Sequence, residues 1–302
     1  MAADNDSTFT HPIVVGVDGS ASSLHAACWA ADEAAWRKAP LRLVHAVSRP
    51  ALAYGGGAGL PDEFSAALEA DGRQYLADAC ALVLTLHPEL PVEIDLAAGE
   101  AVASLLELSH SAQLMVLGSS GQGGFTGLLT GSTAVALVAR GHCPVAVIRG
   151  RQASEKPPSS GPVVVGVDGS EISDVAIATA FEEAASRGVG LVAVHAWIGF
   201  NSDSAYSHAR QLFTSLDVLE AREREWLDER LASGKAKYPG VTVETVLARD
   251  RAVRCLLDHS AGGQLLVIGS RGRGGLSGMV LGSTSQALIY HATCPLLVVR
   301  PA

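Results

Sequence analysis

LMVLGSSGQGGFTGLLTGST, Leu114 to Thr133, is answered later in the chain by LLVIGSRGRGGLSGMVLGST, Leu265 to Thr284. Each copy opens with an apolar run that ends at a glycine, Gly118 or Gly269. A second glycine follows three positions on, at Gly121 or Gly272. Gly131-Ser132-Thr133 and Gly282-Ser283-Thr284 close the two stretches, so both read G-x2-G-x9-G-[ST]. An apolar run this short fits a strand buried on both faces of a parallel sheet. Glycines just past its end are free to take positive φ and to let backbone N–H groups approach a ligand. Ser132-Thr133 precede AVALVAR, which is apolar at helical spacing, and so mark a helix N-terminus. Free amides and the positive end of the helix dipole favour an anion there. One copy alone fits a tight strand-to-helix turn that holds nothing equally well. Two copies with the same internal spacing point to a phosphate site.

The rest of the chain is duplicated too. PIVVGVDGS (Pro12 to Ser20) recurs as PVVVGVDGS (Pro162 to Ser170), and LVHA (Leu43 to Ala46) as AVHA (Ala193 to Ala196), both offset by 150. LAAGEAVASLLELS (Leu96 to Ser109) recurs as LARDRAVRCLLDHS (Leu247 to Ser260) at an offset of 151. The glycine stretches and the tails HCPVAVIR and TCPLLVVR keep that second offset. A period near 150 residues is too long for a solenoid and denotes two whole domains, as a length of 302 residues also implies. We place them at 1–150 and 162–302, joined by a polar Pro/Ser-rich linker, 151–161.

Within domain one, Ile13 to Val17 reads as a buried strand. Ser20 or Ser22 caps a helix with Leu24, Ala27, Cys28, Ala31 and Ala35 on one face. Leu41 to Val47 is a second strand, and the glycine-rich Ser48 to Leu60 reads as a flexible loop. A long helix runs from Pro61 to about Leu86, followed by strand Val92 to Leu96 and helix Glu100 to Ser111. Strand Leu114 to Leu117, helix Thr133 to Arg140 and strand Pro144 to Ile148 complete the unit. Domain two repeats the order, with its long helix around Phe213 to Ser233 and a polar loop at Ile198 to His208. Alternating strands and helices mean an α/β fold. We expect two tandem flavodoxin-like domains, each a five-stranded parallel sheet with right-handed crossovers. Ligands of such sheets lie at the carboxyl ends of the strands, where the strand order reverses. Strands one and four flank that point, which sets Asp18 opposite Gly118 and Asp168 opposite Gly269.

Composition narrows the function. The net charge is −9 and no Lys/Arg block occurs, which argues against a nucleic-acid surface. A local nest of amides still accepts a small anion against that background. MAADNDSTFT has neither a basic nor an apolar signal region, and no run reaches the ~18 apolar residues of a membrane span. The five scattered cysteines, without CxxC, fit a reducing cytosol, so a cytoplasmic location is expected. Cys143 and Cys294, each before a proline, read as small buried residues. Walker A, GxGxxG and GxSxG patterns are absent, as is any cluster with metal spacing. No general base for hydrolysis is evident, so we do not expect an enzyme.

Three further pairs carry candidate chemistry. Asp18 and Asp168 suit a ribose hydroxyl or a bound Mg²⁺. They fit an Asx turn that starts the helix equally well. His45 and His195 sit inside strand two and read as core or wall histidines. Arg271 and Arg273 lie in the second glycine stretch, where the first has Ser120 and Gln122. They pair with phosphate oxygens or stand solvated on the surface.

The GVDGS strand ends, the VHA second strands and the two glycine stretches resemble the universal stress protein family, in the tandem two-domain form of mycobacteria and their relatives. The resemblance runs from about Pro12 to Arg300. It implies an ATP-binding protein, with Mg²⁺ as a possible companion of the nucleotide. Asp18 and Asp168 would then contact ribose. The backbones of Gly16 and Ala46, and of Gly166 and Ala196, would line the adenine pockets. Gly118, Gly121, Gln122, Gly123, Gly124, Gly131, Ser132 and Thr133 would wrap one phosphate tail. Gly269, Gly272, Arg273, Gly274, Gly275, Gly282, Ser283 and Thr284 would wrap the other. Regulation of growth under stress is the implied role; a slow ATPase and a cAMP-binding sink are the alternatives. The apolar last strands, PVAVI and PLLVV, read as exposed edges that invite pairing. The resemblance implies that the two domains pair through them and that two chains form a homodimer by the same edges.

Overall fold

The computed structural model describes residues 11–48, 62–121, 130–150, 155–197, 216–272 and 281–300. Domain one runs β1 (Ile13–Gly16), α1 (Ala21–Arg37), β2 (Leu41–Val47), α2 (Asp62–Leu86), β3 (Val92–Ala98), α3 (Ala101–Leu108), β4 (Leu114–Gly118), α4 (Ser132–Arg140) and β5 (Val145–Ile148). Domain two repeats this as β6 (Val163–Gly166), α5 (Glu171–Arg187), β7 (Leu191–Ala196), α6 (Leu216–Lys237), β8 (Val243–Ala248), α7 (Ala252–Ser260), β9 (Leu265–Gly269), α8 (Ser283–His291) and β10 (Leu296–Val299).

The strands form one ten-stranded sheet in the order β3-β2-β1-β4-β5-β10-β9-β6-β7-β8. Each half is parallel and doubly wound, and its order reverses between strands one and four, as the sequence implied. The halves join antiparallel, with Leu296 opposite Val147 and Val298 opposite Val145. The pairing of domains through their last strands is therefore present within the chain. That overturns the expected route to a homodimer. β5 lies between β4 and β10, and β10 between β9 and β5, so neither offers an edge to a second chain. The outer strands are β3 and β8.

Strand residues alternate between two apolar layers. Ile13, Val15, Leu41 and Leu43 pack with Ala26 and Ala30 of α1 and Leu76 of α2. Val14, Val44 and Met115 pack on the other face with Leu105 of α3 and Leu137 of α4. Both layers continue across the β5–β10 seam into domain two, so the domains share their core. Each Val, Leu, Ile or Met side chain fully withdrawn from water here contributes about 1.5–3 kcal/mol.

Helix α1 buries a wider face than expected. Ala26, Trp29, Ala30, Glu33 and Ala34 are buried, while Leu24, Cys28 and Ala35 are only half-buried. The cause is tertiary: α1 packs on the sheet and α2 and also meets α5 of the other domain. There Glu33 and Arg37 of α1 face Glu183 and Arg187 of α5, the same positions one repeat later. Arg37 donates to Glu33 (3.1 Å) and Glu183 (2.5 Å), and Arg187 donates to Glu183 (3.0 Å) and Glu33. The two glutamates are 1% and 2% exposed, which makes this ionic ring part of the interior. The long helix of domain two runs on to Lys237, beyond the expected Ser233. The loop expected at Ser48 to Leu60, apart from Ser48, and the one at Ile198 to His208 lie outside the described residues.

Candidate functional site

The first wall of each crevice is the turn after strand one. Gly19 (φ 78°) and Gly169 (φ 79°) hold the left-handed conformation that lets the chain turn from strand into helix. Asp18 Oδ1 accepts from the Ser20 amide (3.0 Å) and the Ser20 hydroxyl (2.6 Å), and Ser20 Oγ in turn caps α1 at the Ser23 amide. Asp168 Oδ1 makes the same pair with Ser170 at 3.0 and 2.7 Å. Ser20, not Ser22, is therefore the cap. Each aspartate also faces its glycine stretch. A methyl group added at Gly121 would lie 2.5 Å from Asp18 Oδ2, and one at Gly272 would lie 2.3 Å from Asp168 Oδ2. The Asx-turn reading of the aspartates therefore holds: one oxygen forms the turn, and the residue also lines the crevice.

The second wall is the end of strand four and the start of the following helix. The glycines here do not take positive φ: Gly118, Gly121, Gly131, Gly269, Gly272 and Gly282 all lie outside that region. They are needed for close approach instead. A Cβ at Gly118 would meet the Ser22 backbone at 2.7 Å, and one at Gly269 would meet the Ile172 side chain at the same distance. Gly16 admits Leu117 in the same way. The positive φ sits in the Asp-Gly-Ser turns, where the Asp-Gly pair was the available signal.

Gly131 and Gly282 are the N-caps of α4 and α8, and neither helix has a side-chain cap bond. The Gly131 amide donates to Ser119 O (2.7 Å) and the Gly282 amide to Ser270 O (2.9 Å). The helical ladder begins at Val135 on Gly131 O and at Gln286 on Gly282 O. The first-turn amides of Ser132-Thr133 and Ser283-Thr284 come ahead of it, as donors a helix cannot satisfy itself. The serines stand inside the helix as its first residues, one position earlier than expected.

These walls enclose a crevice of about 490 Å³ in domain one and about 340 Å³ in domain two. Gly16, Asp18, Ala46, Gly118, Gly121, Gly131, Ser132 and Thr133 all line the first. Gly166, Asp168, Ala196, Gly269, Gly272, Gly282, Ser283 and Thr284 all line the second. Gln122, Gly123, Gly124, Arg273, Gly274 and Gly275 lie outside the described residues. Arg271 lines the second crevice, where the first has Ser120. The sequence reading missed the apolar sides, Val44 and Leu105 in one domain and Val194 and Leu256 in the other. The repeated VHA strands carry Val44 and Val194, and the repeated LELS-type helix carries Leu105 and Leu256.

The histidines divide. His45 lines its crevice, held by Val17 O at 2.7 Å. His195 is buried between Val167 O (2.8 Å) and Glu223 (3.1 Å) and does not line its own. Burial raises the Cys143 thiol to about 11 and Cys294 to about 12, so both stay protonated and inert as small core residues. Among the described residues no group of three or more His, Cys, Asp or Glu is placed to hold a metal, and no helix is long and apolar enough to cross a membrane.

The model of the universal stress protein family matches residues 10–149 and again 160–300. Universal stress protein Rv2005c of Mycobacterium tuberculosis is 42% identical over 298 residues, spanning 96% of this chain and 97% of that one. Rv2623 of the same organism, also a universal stress protein, is 39% identical over 293 residues, with 95% and 96% covered. A universal stress protein from Archaeoglobus fulgidus has a crystal structure that superposes at a TM-score of 0.67 over 97% of this chain and 99% of that one. At 17% identity this likeness speaks to the fold alone.

Proposed function

The chain belongs to the universal stress protein family, and on that footing we propose that it binds ATP at one site in each domain and acts as a regulator, not as an enzyme. The observation that carries the reading is the twin crevice itself. Each sets a turn-fixed aspartate across from a glycine that has no room for a methyl group. Each also aims the uncapped N-terminus of a nine-residue helix into the same space.

The residues fit the ligand part by part. First-turn amides and the helix dipole suit a phosphate tail. Asp18 Oδ2 and Asp168 Oδ2 suit ribose hydroxyls, which donate. The apolar sides at Val44 and Leu105, and at Val194 and Leu256, suit the faces of a base. A magnesium ion would arrive with the phosphates. Occupancy of the sites sets the chain's shape or its choice of partner under stress, in the cytoplasm; all five cysteines are free, which suits that compartment.

Equilibrium dialysis tests this directly. The expected result is about two ATP per chain, with Asp18→Ala plus Asp168→Ala weakening binding about tenfold or more, the scale of a lost charged hydrogen bond. A chain that retains no nucleotide would sink the reading. Sustained phosphate release that disappears in the double variant would overturn the non-enzymatic role. Among the described residues Arg271 adds a cation to the second crevice where the first has Ser120, so site two is expected to be the tighter. Arg271→Ser should bring its ATP affinity down toward that of site one, as site-resolved titration would read.

A further inference from the structure

Helices α4 and α8 are about 13 Å long, nine residues at 1.5 Å each. Their N-termini face their own crevices. Their last carbonyls have no partner within the helix. Gly141 N–H takes Leu137 O (2.7 Å) and Ala292 N–H takes Leu288 O (2.9 Å). The next carbonyl in each helix is taken by the other domain. Arg149, just after β5, donates from Nη1 to Ile289 O in α8 at 2.8 Å. Arg300, just after β10, donates from Nη2 to Val138 O in α4. The antiparallel seam between β5 and β10 sends each arginine across to the opposite half.

We infer that Arg149 and Arg300 are positioning residues in trans: each holds the helix that presents amides to the crevice of the other domain. This rests on the nucleotide reading above. A guanidinium at a helix C-terminus satisfies an orphan carbonyl and interacts favourably with the dipole. It also fixes where the helix sits along its axis, and so where the first-turn amides meet an anion at the far end.

The arginines are themselves tied to the crevices they leave. Ser119 N–H donates to Ile148 O (3.0 Å), next to Arg149, and Gly131 N–H donates to Ser119 O (2.7 Å). In domain two Ser270 N–H donates to Val299 O, next to Arg300, and Gly282 N–H donates to Ser270 O, both at 2.9 Å. The bonds close a ring that passes from α4 to Arg149, to α8, to Arg300 and back to α4. The ring is not symmetric. Thr130, which lines the first crevice, also donates to Ile289 O (2.7 Å), whereas its counterpart is Leu281 and has no donor. Among the described residues α8 is therefore held twice from the other domain and α4 once.

The test is a crossed titration with ATP on the full chain. Gly272→Ala leaves only site one to read, and Gly121→Ala leaves only site two. In the Gly121→Ala chain, Arg149→Met is expected to weaken ATP about threefold. In the Gly272→Ala chain, Arg300→Met is expected to weaken it about tenfold, the loss of an undivided charged hydrogen bond. Arg149→Met in the Gly272→Ala chain should leave site one within about twofold of its parent. A loss at the arginine's own domain, or no loss at either, overturns the inference. Should Arg149→Met fail to fold, Arg149→Lys keeps the cation without the planar fork. The same crossed loss, in smaller measure, is then required, and an unchanged site two counts against the inference. Wild-type chain that binds ATP at both sites but gives no crossed pattern refutes this inference alone; wild-type chain that binds none takes the nucleotide reading down with it.

Discussion

Replacing Arg187 by methionine lowers the unfolding free energy by about 3–5 kcal/mol, the scale of removing one partner from a buried ion pair. Arg187 is the most enclosed cation of the ring between α1 and α5, its side chain only 6% exposed. It donates to Glu33, Glu183 and Gln264 and lies over the rings of Trp36 (4.7 Å) and Trp29 (5.4 Å). Without it the buried Glu183 carboxylate and the Glu33 carboxyl share Arg37 alone. Urea unfolding is the measurement, and a loss under about 1 kcal/mol would show that the ring adds little beyond its packing. The same ring makes stability depend on pH. Burial, and next the Glu183 carboxylate, raise Glu33 from 4.5 to about 8, against the opposing pull of Arg187 and Arg37. The folded chain thus keeps a proton through a window in which the unfolded chain has lost it. The stability linked to Glu33 is full below about 4.5 and declines as pH rises through about 8. Glu33→Gln keeps the neutral form at every pH, so its unfolding curve should lose that decline. Parallel pH profiles for the two chains would refute the protonated Glu33.

That ring shows where the sequence stops being legible. Glu33-Arg37 and Glu183-Arg187 sit four apart on helices, a spacing that reads as a solvated face. Only the docking of one domain on the other buries them, and no local pattern carries that. The last strands were harder in the same way. Their apolar runs disclose an edge that needs a partner, but not whether the partner lies in this chain or another. Strand β2, by contrast, was read to its ends at Leu41 and Val47, because a buried strand between turn signals is a local fact. The crevice residues were legible because they are repeated, and the repeat gave their spacing twice. The physical reason for each glycine was not. A glycine in a sequence does not say whether it serves a positive φ, as at Gly19, or an approach too close for a methyl group, as at Gly121.

That distinction yields the sharpest separation between folding and binding. Gly121→Ala and Gly272→Ala place a methyl group 2.5 and 2.3 Å from an aspartate oxygen. Neither glycine has positive φ, so alanine adopts the backbone without strain and reduces the freedom of the unfolded chain. Stability should stay within about 1 kcal/mol. The carboxylate is what must yield, since Oδ1 is pinned by Ser20 or Ser170 while Oδ2 is pushed away from the space a ligand needs. Displacing Oδ2 forfeits the charged hydrogen bonds it would accept from the ligand, about 1.5–3 kcal/mol, while Oδ1 keeps its turn, so each variant should lose ATP affinity at its own site by about ten- to a hundredfold. Gly118→Ala is the contrasting case. Its methyl group meets the Ser22 backbone, which cannot rotate aside, and α1 must shift on the sheet. Overpacking of that kind costs about 1–3 kcal/mol of stability. A Gly121→Ala chain that melts early and still binds ATP at site one would mean that Asp18 has no part in holding the ligand. A stable chain with site one silenced and site two intact is what the geometry requires.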